Sequence, residues 1–138
     1  MKIPSEKLDQ IDVLLESTYP NARDAGNQMA ALMARHPSHF GMSQIRGLES
    51  IIVSATRFSE ILNYIKNQTG KDRNNVWPRV APMLIEQLEG LENSAVELGA
   101  DDPSLVLAIK MKLARGWGKQ VITHCLYQHK IHNQGGQG

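Results

Sequence analysis

No stretch of this 138-residue chain sustains the alternation of apolar and polar residues that a half-buried strand needs. Its apolar residues recur every three or four positions, between prolines and glycines that punctuate the segments. That property points to an all-α fold, a compact bundle of about five helices. The length suits one domain that can bury a core of its own. Residues 1–132 are read as that domain and 133–138 as a disordered tail.

The helices can be placed one by one. Ser5 is positioned to cap the first, which carries Leu8, Ile11, Leu14 or Leu15, and Tyr19. Pro20 favours a fresh start near Asn21. The second helix then presents Ala25, Met29, Leu32 and Met33, a stripe that reads as core packing, and stops at Arg35-His36-Pro37. The third is expected to be one long helix from a Ser43 cap to Gly70, with Ile45, Leu48, Ile52, Ala55, Leu62 and Ile65 as a slowly drifting stripe. KDRNNVW reads as a polar connection, with a short extra helix near Asn75–Pro78. The fourth helix spans about Val80 to Leu98 and ends at Gly99. ADDPSLVLAIK is the clearest start signal: Asp102 caps and Pro103 opens a fifth helix reaching Tyr127 or beyond, bent at Gly116 and Gly118.

Charge is distributed unevenly. Residues 1–102 hold ten Lys/Arg and fourteen Asp/Glu, whereas residues 103–138 hold five bases and no acid. On a helical wheel Lys112, Arg115, Lys119 and Lys130 fall within about 60°, away from the apolar stripe. Lys110 lies near the apolar side, where its stem must snorkel. Such a one-sided row can track a phosphate backbone. It can equally pair with the acidic fourth helix, which carries Glu86, Glu89, Glu92 and Glu97 and no base. In the third helix Arg46 and Arg57 lie within about 20° of each other and could face one strand, while Lys66 points the other way.

Other chemistry finds little support. There is no glycine-rich phosphate loop, nucleophile elbow or obvious acid/base pair, so the chain reads as no enzyme, with no cofactor implied. Cys125, His129 and His132 could share one helical face, but they form an incomplete set for a closed metal site. Trp77 and Trp117 could stack bases and are read first as packing anchors. The single cysteine suits a reducing compartment, and acids stand where a signal peptide needs an apolar run. No segment approaches the length of a membrane span. A cytoplasmic protein without membrane attachment is expected.

At FGMSQIRGLESIIVSATRF the residues acquire a likeness. SQIR, opening a helix after a short loop, resembles the T-S-Q-[IL]-R stretch of the small helical subunit of type III CRISPR effector complexes, with Met42 where that family commonly has Thr. The resemblance covers Phe40 to about Lys71. It implies a non-catalytic subunit in the ribonucleoprotein, stacked in several copies beside guide RNA and target RNA, together with other effector-complex subunits. Such a subunit contacts backbone and leaves sequence choice to base pairing. Ser43, Gln44, Ile45 and Arg46 carry over: Ile45 as core, Gln44 as a polar helix-start contact, Arg46 as a structural or backbone-facing cation. The basic row of the last helix is a separate reading from the residues themselves. The competing expectation is a helical adaptor that binds no nucleic acid, its last two helices neutralising each other.

Overall fold

The computed structural model describes residues 2–135. These form six α-helices, α1 (Ser5–Ser17), α2 (Tyr19–Arg35), α3 (Met42–Ser54), α4 (Phe58–Lys71), α5 (Ala81–Gly99) and α6 (Pro103–Gly135), with a 3-10 turn at Trp77–Arg79 before α5. Among the described residues there is no strand, and no helix is long and apolar enough to cross a membrane. Helix α6 is the axis of the bundle. Helix α2 packs most extensively against it, and α5, α3, α1 and α4 surround the rest.

The expected third helix is two helices. Ala55 is extended (φ −62°, ψ 139°) and so is Arg57 (φ −127°, ψ 140°), so the chain turns a corner between Ser54 and Phe58. The reason lies in the second half of the segment, where the drift has carried even Ile65 of the stripe about 160° from Ile45. On one straight helix Phe58 and Ile61 would point about 140° and 160° away from Ile45. Both are buried, at 2% and 0% exposure, so a single rod would strand them in water. The corner turns both stripes inward. At the corner Thr56 Oγ1 lies 3.3 Å from Glu60 Oε1, and the Arg57 carbonyl accepts the Glu60 N–H at 3.1 Å.

The ends of the helices differ from expectation where a backbone group found another partner. Pro4, not Ser5, stands at the cap of α1, and its carbonyl accepts the N–H of Lys7 and Leu8. Gly41, not Ser43, caps α3, with its N–H donated to Gln44 Oε1 at 2.8 Å. Helix α4 continues one residue past Gly70, which has no positive φ. Nor does Gly99 take the left-handed turn after α5; Ala100 does, at φ 51°. Gly99 serves a close approach instead, since a Cβ there would stand 2.5 Å from Val106 Cγ2 and 2.9 Å from its backbone nitrogen. Gly116 and Gly118 do not interrupt α6, and both are points where other helices pack. The helix also runs through residues 133–135, the first half of the expected tail; residues 136–138 lie outside the described residues.

Other signals hold. Asp102 Oδ1 accepts the N–H of Ser104 and Leu105 at 3.0 and 3.2 Å, and Pro103 opens α6. In the polar connection, one Asp72 carboxylate accepts three backbone N–H groups, from Asn74 (2.8 Å), Val76 (2.8 Å) and Trp77 (2.6 Å). Partial burial would raise the pKa of this acid. The three donors, helped by nearby His39, outweigh it and hold the carboxyl below its usual value. A depressed carboxyl stabilises the fold above its unfolded pKa, and that contribution is lost as pH falls through the folded one. Asp72→Ala should therefore melt lower than the native protein at neutral pH, with the gap closing as pH drops below the ordinary carboxylate range. A gap independent of pH in thermal melts would show that the charge is not what holds this turn.

Candidate nucleic-acid interface

Helix α6 carries its basic row on the side turned away from α5. Val106, Lys110 and Trp117 meet α5: Val106 packs on Gly99, Lys110 Nζ lies 3.1 Å from Glu92 Oε2, and Trp117 Nε1 donates to Gln87 Oε1 at 2.8 Å. On an ideal helix these three lie roughly opposite the centre of the row. The body of α6 therefore separates Lys112, Arg115, Lys119 and Lys130 from the acids of α5. All four are exposed, and among the described residues none has a carboxylate at ion-pair distance. Among the described residues the one base of α6 paired with an acid of α5 is Lys110, which lies outside the row, with its ammonium also 5.4 Å from the centre of the Phe58 ring. Glu86, Glu89 and Glu97 are exposed on the other side of the molecule and have no ion-pair partner among the described residues.

Two helices flank the row. Helix α1 touches α6 at Gly116 through Leu15, and α3 touches it at Gly118 through Ile52. Gly116 lies about 40° beyond one edge of the row and Gly118 about 60° beyond the other. A Cβ on Gly118 would stand 2.8 Å from Ile52 Cγ2, so the absence of side chains at these positions draws both helices in. The cations thus stand on a crest that two grooves adjoin. One, of about 850 Å³, runs over the first half of α6 from Ile3 and Leu15 on the α1 side to Leu107 and Met111, with the hydroxyl residues Thr56 and Ser104. The groove toward α3, of about 390 Å³, is lined by Ile52, Val53, Ile122 and Leu126 together with Glu49 and Thr123. Arg115 and Lys119 border both.

Arg115 has a second engagement that the sequence did not announce. Its Nη2 donates to the Ala55 carbonyl at 3.0 Å, satisfying a backbone acceptor left free where α3 ends. One end of the guanidinium thus ties α6 to the α3–α4 corner.

Arg46 and Arg57 do not form the rail expected of one continuous helix. They belong to different segments, Arg46 to α3 and Arg57 to the cap of α4. Arg46 Nη1 is held by Glu49 at 2.8 Å. Arg57 is 79% exposed at its side chain and only loosely paired with Glu60 at 3.7 Å. Ile45 is fully buried, and Gln44 makes its helix-start contact with the Gly41 N–H.

The C-terminal histidines and cysteine are separated by their partners. Cys125 is buried, with its thiol 3.6 Å from Met33 Sδ, and burial pushes its pKa up to about 12. The thiolate that a metal needs is thereby disfavoured. His124 Nε2 is 2.6 Å from the Tyr19 hydroxyl, and His129 is 3.2 Å from Asn133 Nδ2. Both tryptophans are buried: Trp117 where α5 meets α6, and Trp77 edge-on to Phe40 and Tyr64, with ring centres 5.3 and 6.5 Å away. Neither offers a face to a base.

No known family, curated protein or solved structure matches the chain.

Proposed function

We propose that this chain is a non-catalytic subunit of an RNA-guided ribonucleoprotein that holds RNA by its backbone, in the manner implied by its resemblance to the small subunit of type III CRISPR effector complexes. The observation that carries the reading is the crest of α6. Lys112, Arg115, Lys119 and Lys130 are exposed on one line, and among the described residues none has a carboxylate at ion-pair distance; Glu49, which shares a groove with Arg115 and Lys119, is held by Arg46, and three exposed glutamates of α5 stand on the opposite side. Along the axis Lys112 and Arg115 are about 4.5 Å apart and Arg115 and Lys119 about 6 Å, which suits successive phosphates of one strand; Lys130 lies about 16 Å further on. A line of cations answers the charge and periodicity of a backbone and is indifferent to base identity.

Within this reading Arg57 is an auxiliary contact beside the crest, and Arg46 is a structural cation committed to Glu49. The guide and target RNA, the other effector subunits and further copies of the chain are the proposed partners. The adaptor reading keeps one observation in its favour, the Lys110–Glu92 pair, which neutralises a single residue of the hairpin.

The test is isolation of the protein from its native source at low salt. RNA of one defined length should remain with it through gel filtration, together with partner proteins. Recovery of a nucleic-acid-free protein under those conditions would overturn the proposal.

A further inference from the structure

We infer that the crest of α6 binds RNA as a single strand with unpaired bases, and that the apolar groove between α1 and α6 receives those bases. This rests on the reading of the crest as an RNA-backbone site and adds the form of RNA it takes. Cations alone would not distinguish a strand from a duplex, since both present phosphates. The groove does. It runs beside Lys112, Arg115 and Lys119, and its lining is chiefly apolar, from Ile3, Leu15, Leu107 and Met111. At about 850 Å³ the groove, open to solvent along its length, is roomy enough for a heterocycle to lie against.

A duplex keeps its base faces stacked inside and offers phosphates, sugars and groove edges. Laid on the crest it would leave this apolar lining in water. An unpaired strand carries phosphates along one side and flat apolar faces along the other, which matches cations beside an apolar groove. Leu107, 39% exposed, is a large aliphatic side chain already partly open to an incoming base. The Ser104 hydroxyl can donate or accept and the Thr56 hydroxyl, which donates to Glu60, can still accept, so base edges find partners without one base being selected. No aromatic side chain lines the groove, so a base would rest on aliphatic surface.

Three fluorescent probes of equal length separate the possibilities in anisotropy titrations at two salt concentrations: a mixed-sequence single strand, the same strand annealed to its complement, and an abasic oligonucleotide. The single strand is expected to bind at least about tenfold more tightly than either of the others, the scale of one buried base. Leu107→Asn, which takes apolar lining from the groove at a position about 80° beyond the edge of the row, should remove much of that advantage while leaving the salt dependence and the melting temperature unchanged. Equal binding of the single strand and the abasic probe, or tighter binding of the duplex, would overturn the single-strand inference and leave the backbone reading standing. Absence of binding by all three probes at low salt would overturn both.

Discussion

Changing Lys112, Arg115 and Lys119 together to alanine should weaken RNA binding at least about tenfold at low salt, for every sequence alike. The log–log salt dependence should become shallower by about 0.7 for each single-strand phosphate that no longer meets a cation, hence by up to about 2. The three residues do not contribute equally to the fold. Lys112 and Lys119 are exposed and have no ion-pair partner among the described residues, so their removal should barely shift the melt. Arg115 holds the Ala55 carbonyl at 3.0 Å, so its removal frees a partly buried acceptor and should cost about 1–2 kcal/mol. The double change of Lys112 and Lys119 therefore isolates the binding effect from the structural one. Lys110→Ala is the matching control: its ammonium is engaged by Glu92 on the far side of α6, so RNA affinity should stay as it was. Unchanged affinity and salt slope in the triple variant, measured by titration at several salt concentrations, would retire the crest as an RNA site.

Gly26→Ala is expected to be among the most damaging single methyl additions to the fold. Gly26 lies where α2 crosses α6, the most extensive packing between helices in the molecule. A Cβ there would meet the Val121 carbonyl oxygen at 2.5 Å, the Cys125 nitrogen at 2.9 Å and His124 Cβ at 2.9 Å. Two of these are backbone atoms of a helix and cannot rotate aside. The helices must separate, loosening Met33 from Cys125 and Tyr19 from His124. Overpacking of a close backbone approach costs about 3 kcal/mol, or roughly 10 °C of melting temperature for a chain of this size. Gly90 provides the opposite case. A Cβ at that exposed position in α5 meets nothing within 4 Å, so Gly90→Ala should stabilise by about 0.5–1 kcal/mol through helix propensity. Calorimetry on the two variants reads both signs, and a Gly26→Ala melt within a degree or two of the native protein would show that the two helices can part there at little cost.

The sequence alone was enough for the helical class, for the start of α6 at Asp102-Pro103, for the end of α2 at Arg35 and for the burial of the methionine stripe. Each of these depends on neighbours three or four positions apart, or on the chemistry of a single cap, and such relations are written locally. The gathering of Lys112, Arg115, Lys119 and Lys130 on one line of α6 was legible for the same reason.

Three decisions belong to the tertiary structure. The break between α3 and α4 arises because Phe58, Ile61 and Ile65 must reach the same core as Ile45, a demand that no window of the sequence states on its own, although the accumulating drift of the stripe was its visible trace. The roles of Gly26, Gly99, Gly116 and Gly118 depend on which helix arrives opposite, and the sequence suggested a bend for two of them where the structure has close approaches. The separation of the basic row from the acids of α5 was equally beyond the sequence. Both helices carry their charges openly, and their net balance invites pairing. Only the rotation of α6 about its own axis, fixed by Trp117 on Gln87, Leu15 on Gly116 and Ile52 on Gly118, turns one cation toward an acid and the row toward solvent. A wheel gives angles between residues of one helix; the direction in which that wheel faces is set by packing against the others.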